Sequence, residues 1–136
     1  MPDIEGVVET VLYVDDLERA RDFYEGTLCL DVMFKDERMR AYKVGRSVLL
    51  LFRRGGSNHN TQMKIGNIPA HDGSGPMHMA FAIAANELAP WEKLLGEHGI
   101  EIEGRVKWPK GGTSIYFRDP DRNLLEFATP GLWENY

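Results

Sequence analysis

The chain reads as an α+β protein built from two tandem β-α-β-β-β modules, and three observations predict it. Two segments about 70 residues apart run strand, polar turn, amphipathic helix: Glu9-Thr-Val-Leu-Tyr-Val-Asp-Asp-Leu17 and His78-Met-Ala-Phe-Ala-Ile-Ala-Ala-Asn-Glu-Leu88. Each is followed by three strand-like runs. The matched strands also carry Glu9 and His78 at equivalent points, where a buried strand should be apolar.

Each element has a local reason. Residues 7–14 are rich in β-branched and aromatic types and predict a strand. Asp15 and Glu18 have the spacing of a capping box, so a helix should open there. Leu17, Ala20, Phe23, Tyr24 and Leu28 recur at helical spacing and define its apolar face. Strands follow at 32–36, 38–44 and 47–53. Residues 54–76 are rich in Gly, Pro and polar types and read as a long connection. The second half predicts a strand at 77–84 and a helix at about 87–98 from Asn86. Pro90 is tolerated in the first turn and Gly99 supplies the stop. Strands near 100–106, 113–118 and 123–128 complete the repeat, the last two joined by Asp119-Pro120-Asp121-Arg122-Asn123. The expected organisation is one domain, 1–136, with module 1 at about 5–56, a linker at 57–76 and module 2 at 77–130.

At 136 residues the chain is long enough to bury a core. Its net charge of −5 disfavours nucleic acid or an anionic membrane as a partner. A single cysteine, Cys29, excludes an intramolecular disulfide and suits a reducing cytosol; it reads as packing between Leu28 and Leu30. The first residues lack a secretory pattern, and no apolar run approaches the ~20 residues that span a bilayer. A cytoplasmic protein is therefore expected.

Strand side chains alternate faces. Glu9, Val11 and Tyr13 share one face of the first strand; His78, Ala80 and Ala82 share one face of the fifth; Leu124, Glu126 and Ala128 share one face of the last. Sliding the first half by 76 residues puts Leu50 on Glu126. A pseudo-twofold site would have four corners: Glu9, Leu50, His78 and Glu126. Three can donate to a divalent metal and one cannot, and two carboxylates with a neutral imidazole balance a 2+ ion. Ser114, Tyr116 and Arg118 fall on the same parity and should face this site with Tyr13. The loop Lys107-Trp-Pro-Lys-Gly-Gly112 could close over a ligand or be an ordinary turn. His59 and His71 read as solvent-exposed, and Trp133 and Tyr136 as a tail that covers the site or a second subunit.

With these residues the chain resembles the vicinal oxygen chelate superfamily, which includes glyoxalase I, extradiol dioxygenases, fosfomycin-resistance enzymes and bleomycin-resistance proteins. The matching stretches are Val11-Leu-Tyr-Val-Asp-Asp-Leu17 with Phe23-Tyr24, Gly75-Pro-Met-His78-Met-Ala-Phe, and Ser114-Ile-Tyr-Phe-Arg-Asp-Pro-Asp-Arg-Asn-Leu-Leu-Glu126-Phe. The resemblance implies a cupped mixed sheet with helices on the outer face, a homodimer, and a metal on Glu9, His78 and Glu126. Glu9 stands where the family most often has His, and Leu50 stands on or near an acidic ligand of glyoxalase I. An ordinary glyoxalase and a two-His iron dioxygenase are both disfavoured. Mn²⁺, Mg²⁺, Zn²⁺, Ni²⁺ and Fe²⁺ all remain open.

The expected function is that of a metal-dependent enzyme chelating a small oxygenated substrate through two oxygens. Glu9, Glu126 and Tyr116 are the candidate catalytic residues, and Tyr13, Ser114, Tyr116 and Arg118 the candidate substrate contacts. The alternative is a metal-free binding module of the sequestering type.

Overall fold

The computed structural model describes all 136 residues, in two compact units, Met1–Gly75 and Pro76–Tyr136. In the first unit β1 (Glu9–Val14) leads into α1 (Leu17–Arg21) and a π-helical turn (Asp22–Thr27). Then come β2 (Asp31–Lys35), β3 (Met39–Val44) and β4 (Ser47–Arg53). In the second, β7 (His78–Ala82) leads through a 3₁₀ turn (Ala85–Glu87) into α2 (Leu88–Glu97), then β8 (Gly104–Lys107), β9 (Thr113–Arg118) and β10 (Leu124–Ala128). The sheet orders are β1-β4-β3-β2 and β7-β10-β9-β8, the same arrangement twice. Each sheet is mixed: first and last strands pair in parallel and the rest antiparallel. The α+β class and the tandem β-α-β-β-β order are as the sequence predicts. No helix is long and apolar enough to cross a membrane.

The apolar parity of each sheet packs its core. Leu12, Val14, Leu49 and Leu51 are buried in the first unit with Ala20, Phe23 and Tyr24 of the helical segment. Ile115, Phe117, Leu125 and Phe127 do the same in the second, with Leu95 of α2 and an aromatic cluster of Trp91, Phe117 and Phe127.

The polar details differ from the sequence reading. The cap of α1 is Asp16, not Asp15: its Oδ1 accepts from the amides of Glu18 (2.9 Å) and Arg19 (3.2 Å). Regular α-helix lasts five residues before the widened π turn. The helix of the second unit opens through a 3₁₀ turn without a side-chain cap, so Asn86 does not start it. β1 and β8 begin later than the strands expected at 7–14 and 100–106, at Glu9 and Gly104. Within the long connection, Thr61–Met63 (β5) and Gly66–Ile68 (β6) form a hairpin. Cys29 is exposed and holds a φ of 56°, so it closes a turn rather than filling a core.

A charged cluster ties the helical segment to its sheet. Arg40 and Tyr42 on β3 sit opposite Leu51 and Leu49, on the core parity. Buried Arg40 donates to Glu18 (3.2 Å) and Glu25 (3.1 Å), and the Tyr42 hydroxyl donates to Glu25 (2.9 Å). Pairing makes this buried guanidinium tolerable. Burial, then the hydrogen bond to Glu25, pushes the Tyr42 phenol far above its ordinary value.

Two predictions follow from these contacts. Asp16→Ala should lower unfolding free energy by about 1 kcal/mol in urea titration, the usual worth of such a cap; an unchanged midpoint would count against it. Because the Tyr42 phenol is held protonated above its unfolded value of 10.0, its contribution is complete below pH 10.0 and is lost as pH rises beyond it. Tyr42→Phe should therefore be less stable at neutral pH, yet lose less further stability than wild type on going above pH 10.0.

Candidate functional site

The second unit assembles the densest polar group on its sheet face. The parallel register places His78 opposite Leu124 and Ala80 opposite Glu126, so His78 and Glu126 project from the same side. The antiparallel register of β9 adds Tyr116 opposite Glu126 and Ser114 opposite Ala128. Glu126 is 5% exposed and Ser114 fully buried, whereas the His78 side chain is half exposed. The carboxylate therefore lies at the floor and the imidazole at the lip.

His78 Nδ1 lies 2.8 Å from the Leu124 carbonyl oxygen, which can only accept, so Nδ1 carries the proton. In the neutral Nδ1–H tautomer Nε2 is bare, and it faces Glu126 Oε1 at 3.3 Å. Two lone-pair donors turned toward one another repel unless a proton or a metal cation lies between them. Two ligands each ~2.1 Å from one divalent ion, at tetrahedral or octahedral angles, stand roughly 3.0–3.4 Å apart. The carbonyl behind the imidazole is the usual outer partner of a metal-binding histidine. The pair thus fits a divalent ion as two of its ligands. No three His, Cys, Asp or Glu side chains stand close enough together to form a complete cluster by themselves.

The other Glu126 oxygen, Oε2, accepts from the Ser114 hydroxyl at 2.5 Å, and Ser114 Oγ accepts from Trp108 Nε1 at 2.8 Å. The Tyr116 ring lies 6.2 Å from that of His78, and its phenol is raised by burial first and by the Glu126 charge second. A phenol that keeps its proton beside a carboxylate is a hydrogen-bond donor. Arg118 reaches Glu103 (3.3 Å) and the Arg122 carbonyl (3.1 Å), which engages its guanidinium at the turn. That turn is set by Asp119, whose Oδ1 accepts from the amides of Asp121 and Asn123.

In the first unit Glu9 is exposed at the start of β1, opposite Val48. Leu50 pairs with Ala41, the equivalents of Glu126 and Tyr116. Tyr13 is buried, and its hydroxyl hydrogen-bonds His71 Nδ1 at 2.6 Å. His71 is accordingly half-buried, not solvent-exposed as its loop position suggested; it packs edge-on against Phe52. Burial, then Asp72, raises the Tyr13 phenol. Gly73 lies on the Tyr13 ring so closely that a Cβ would come within 2.6 Å of it. Sequence reasoning missed the Tyr13–His71 pair and the Trp108 contact, because both depend on how a loop folds back.

Comparison with known proteins identifies the family. The family model described as Glyoxalase/Bleomycin resistance protein/Dioxygenase superfamily matches residues 6–127. The chain belongs to this superfamily. Among other members, the metallothiol transferase FosB of Bacillus licheniformis is 30% identical over 130 residues, covering 95% of this chain and 78% of the relative. FosB of Staphylococcus haemolyticus is 28% identical over 131 residues, covering 95% and 86%. A crystal structure of lactoylglutathione lyase from Agrobacterium tumefaciens superposes with a TM-score of 0.88 at 31% identity, covering 98% of this chain and 99% of that one.

The tautomer is directly testable in this superfamily member. ¹⁵N spectra of the metal-free protein, taken at a pH where the imidazole is neutral, should show His78 protonated at Nδ1 and bare at Nε2. A proton found on Nε2 would turn the contact with Glu126 into an ordinary hydrogen bond and remove the argument for a cation.

Proposed function

We propose that the protein is a metal-dependent enzyme of the glyoxalase/dioxygenase superfamily acting on a small oxygenated molecule. The observation that carries this reading is the 3.3 Å spacing of His78 Nε2 and Glu126 Oε1, that of two ligands on one divalent ion, with His78 Nδ1 held by a backbone carbonyl. Glu9 is proposed as the third protein ligand, in a chain that works as a homodimer. A divalent ion held there would act as a Lewis acid on two neighbouring substrate oxygens. The chain's own residues do the rest. Tyr116 donates a hydrogen bond beside the site, where oxygen charge develops on the substrate. The half-exposed His78 edge leaves the site open for entry, while the Glu126 carboxylate lies buried at its floor. Glu9 is the candidate base, being a carboxylate on the exposed start of its strand.

The names of the relatives narrow the substrate class. Metallothiol transferase and lactoylglutathione lyase share a thiol, so a low-molecular-weight thiol is proposed as the co-substrate or as part of the substrate. A module built only to sequester an aromatic ligand has no use for an imidazole and a carboxylate at metal-ligand spacing, and the metal-free alternative is not favoured.

Protein purified without chelator should hold about one divalent ion per chain by elemental analysis. His78→Ala should reduce this to background while the melting temperature of the chelated protein changes little. Equal metal content in wild type and His78→Ala, under saturating metal, would sink the reading.

A further inference from the structure

We propose that Trp108 is a positioning residue for the carboxylate that faces His78, acting through Ser114; this rests on the metal reading above. The indole N–H can only donate, and it donates to Ser114 Oγ at 2.8 Å. With that lone pair occupied, the Ser114 proton is directed to Glu126 Oε2 at 2.5 Å. Ser114 is fully buried, so no solvent competes for its hydroxyl. The terminal torsion of a glutamate is broad and would let its two oxygens exchange places. Pinning Oε2 leaves Oε1 as the oxygen turned to His78 Nε2. Ser114 thereby serves the carboxylate.

The indole is itself held in place. Trp108 N–H donates to the Gly112 carbonyl (2.8 Å) and the Trp108 carbonyl accepts from Gly111 (3.0 Å), which closes the loop as a tight turn. Gly112 N–H donates to the Gly131 carbonyl (3.1 Å). The two glycines touch so closely that a Cβ on Gly112 would lie 2.8 Å from Gly131 backbone, and one on Gly131 would lie 2.6 Å from Gly112 nitrogen. Beyond Gly131 the tail is anchored by Tyr136, whose hydroxyl donates to the Ala128 carbonyl at 2.7 Å. The chain of contacts runs from the C-terminal tail through the loop and the indole to the carboxylate. The loop over 107–112 is thus a support for the site and not a lid over it.

Outer hydrogen-bond partners of metal ligands are commonly worth 10–100-fold in metal affinity. Trp108→Phe keeps the ring and removes the donor. In calorimetric titration of the full-length protein with Mn²⁺ alone, Trp108→Phe and Ser114→Ala should each bind about tenfold more weakly than wild type. Because Trp108 acts through Ser114, the double variant should bind no worse than Ser114→Ala. Wild-type affinity in Trp108→Phe, or losses that multiply in the double variant, would overturn the proposal. A readout without metal checks the same contact. In ¹H–¹⁵N spectra of the metal-free protein the Trp108 indole signal, identified by its loss in Trp108→Phe, should move in Ser114→Ala while those of Trp91 and Trp133 stay. An unmoved signal also overturns it. Failure of wild type itself to bind Mn²⁺ would count against the metal reading as a whole, an outcome distinct from a normal wild type with an unaffected Trp108→Phe.

Discussion

The parallel ladder between β7 and β10 is the constraint on which the site depends. A parallel pair cannot be closed by a tight turn, so a helix and two further strands must intervene before the chain returns. That detour brings residues 78 and 126, far apart in sequence, to adjacent strands on one face. It also fills the other face with Phe81, Leu125 and Phe127, which bury against α2 and leave the polar face free of packing duties. Chemistry and stability are separated by nothing more than strand parity.

Within that frame the geometry of Glu126 is over-determined. One oxygen is fixed by Ser114 and the other meets an imidazole whose orientation is fixed by a backbone carbonyl. A carboxylate in such a place is costly to bury without partners. The Ser114 hydroxyl and the Tyr116 phenol meet part of that requirement.

Much of this was legible in the sequence, because period-two alternation and an internal repeat are long-range regularities that survive without coordinates. They sufficed for the module order, the matched faces, and the kinship of Leu50 with Glu126. What escaped depends on single residues and folded loops. Asp15 and Asp16 are equivalent as letters, and only the entry angle of the chain selects Asp16 as the cap. Arg40 on the core parity looks like an error until Glu18 and Glu25 come over it from the helical segment. His71 and Trp108 lie in segments without periodicity, so their partners Tyr13 and Ser114 could not be inferred from spacing. Cys29, set between two leucines, misled because composition suggested a core where the backbone makes a left-handed turn.

The Leu50 and Ala41 pair, standing where the second unit has Glu126 and Tyr116, carries a wider consequence. A duplicated module gives a protein two copies of one scaffold and no obligation to use them alike. Here one copy has taken the polar, costly positions, and its twin carries aliphatic side chains at the same addresses. Such a division of labour frees each half to drift under its own demands. It also leaves a second pair of cross-strand positions, in the same register as Glu126 and Tyr116, that carries no polar group.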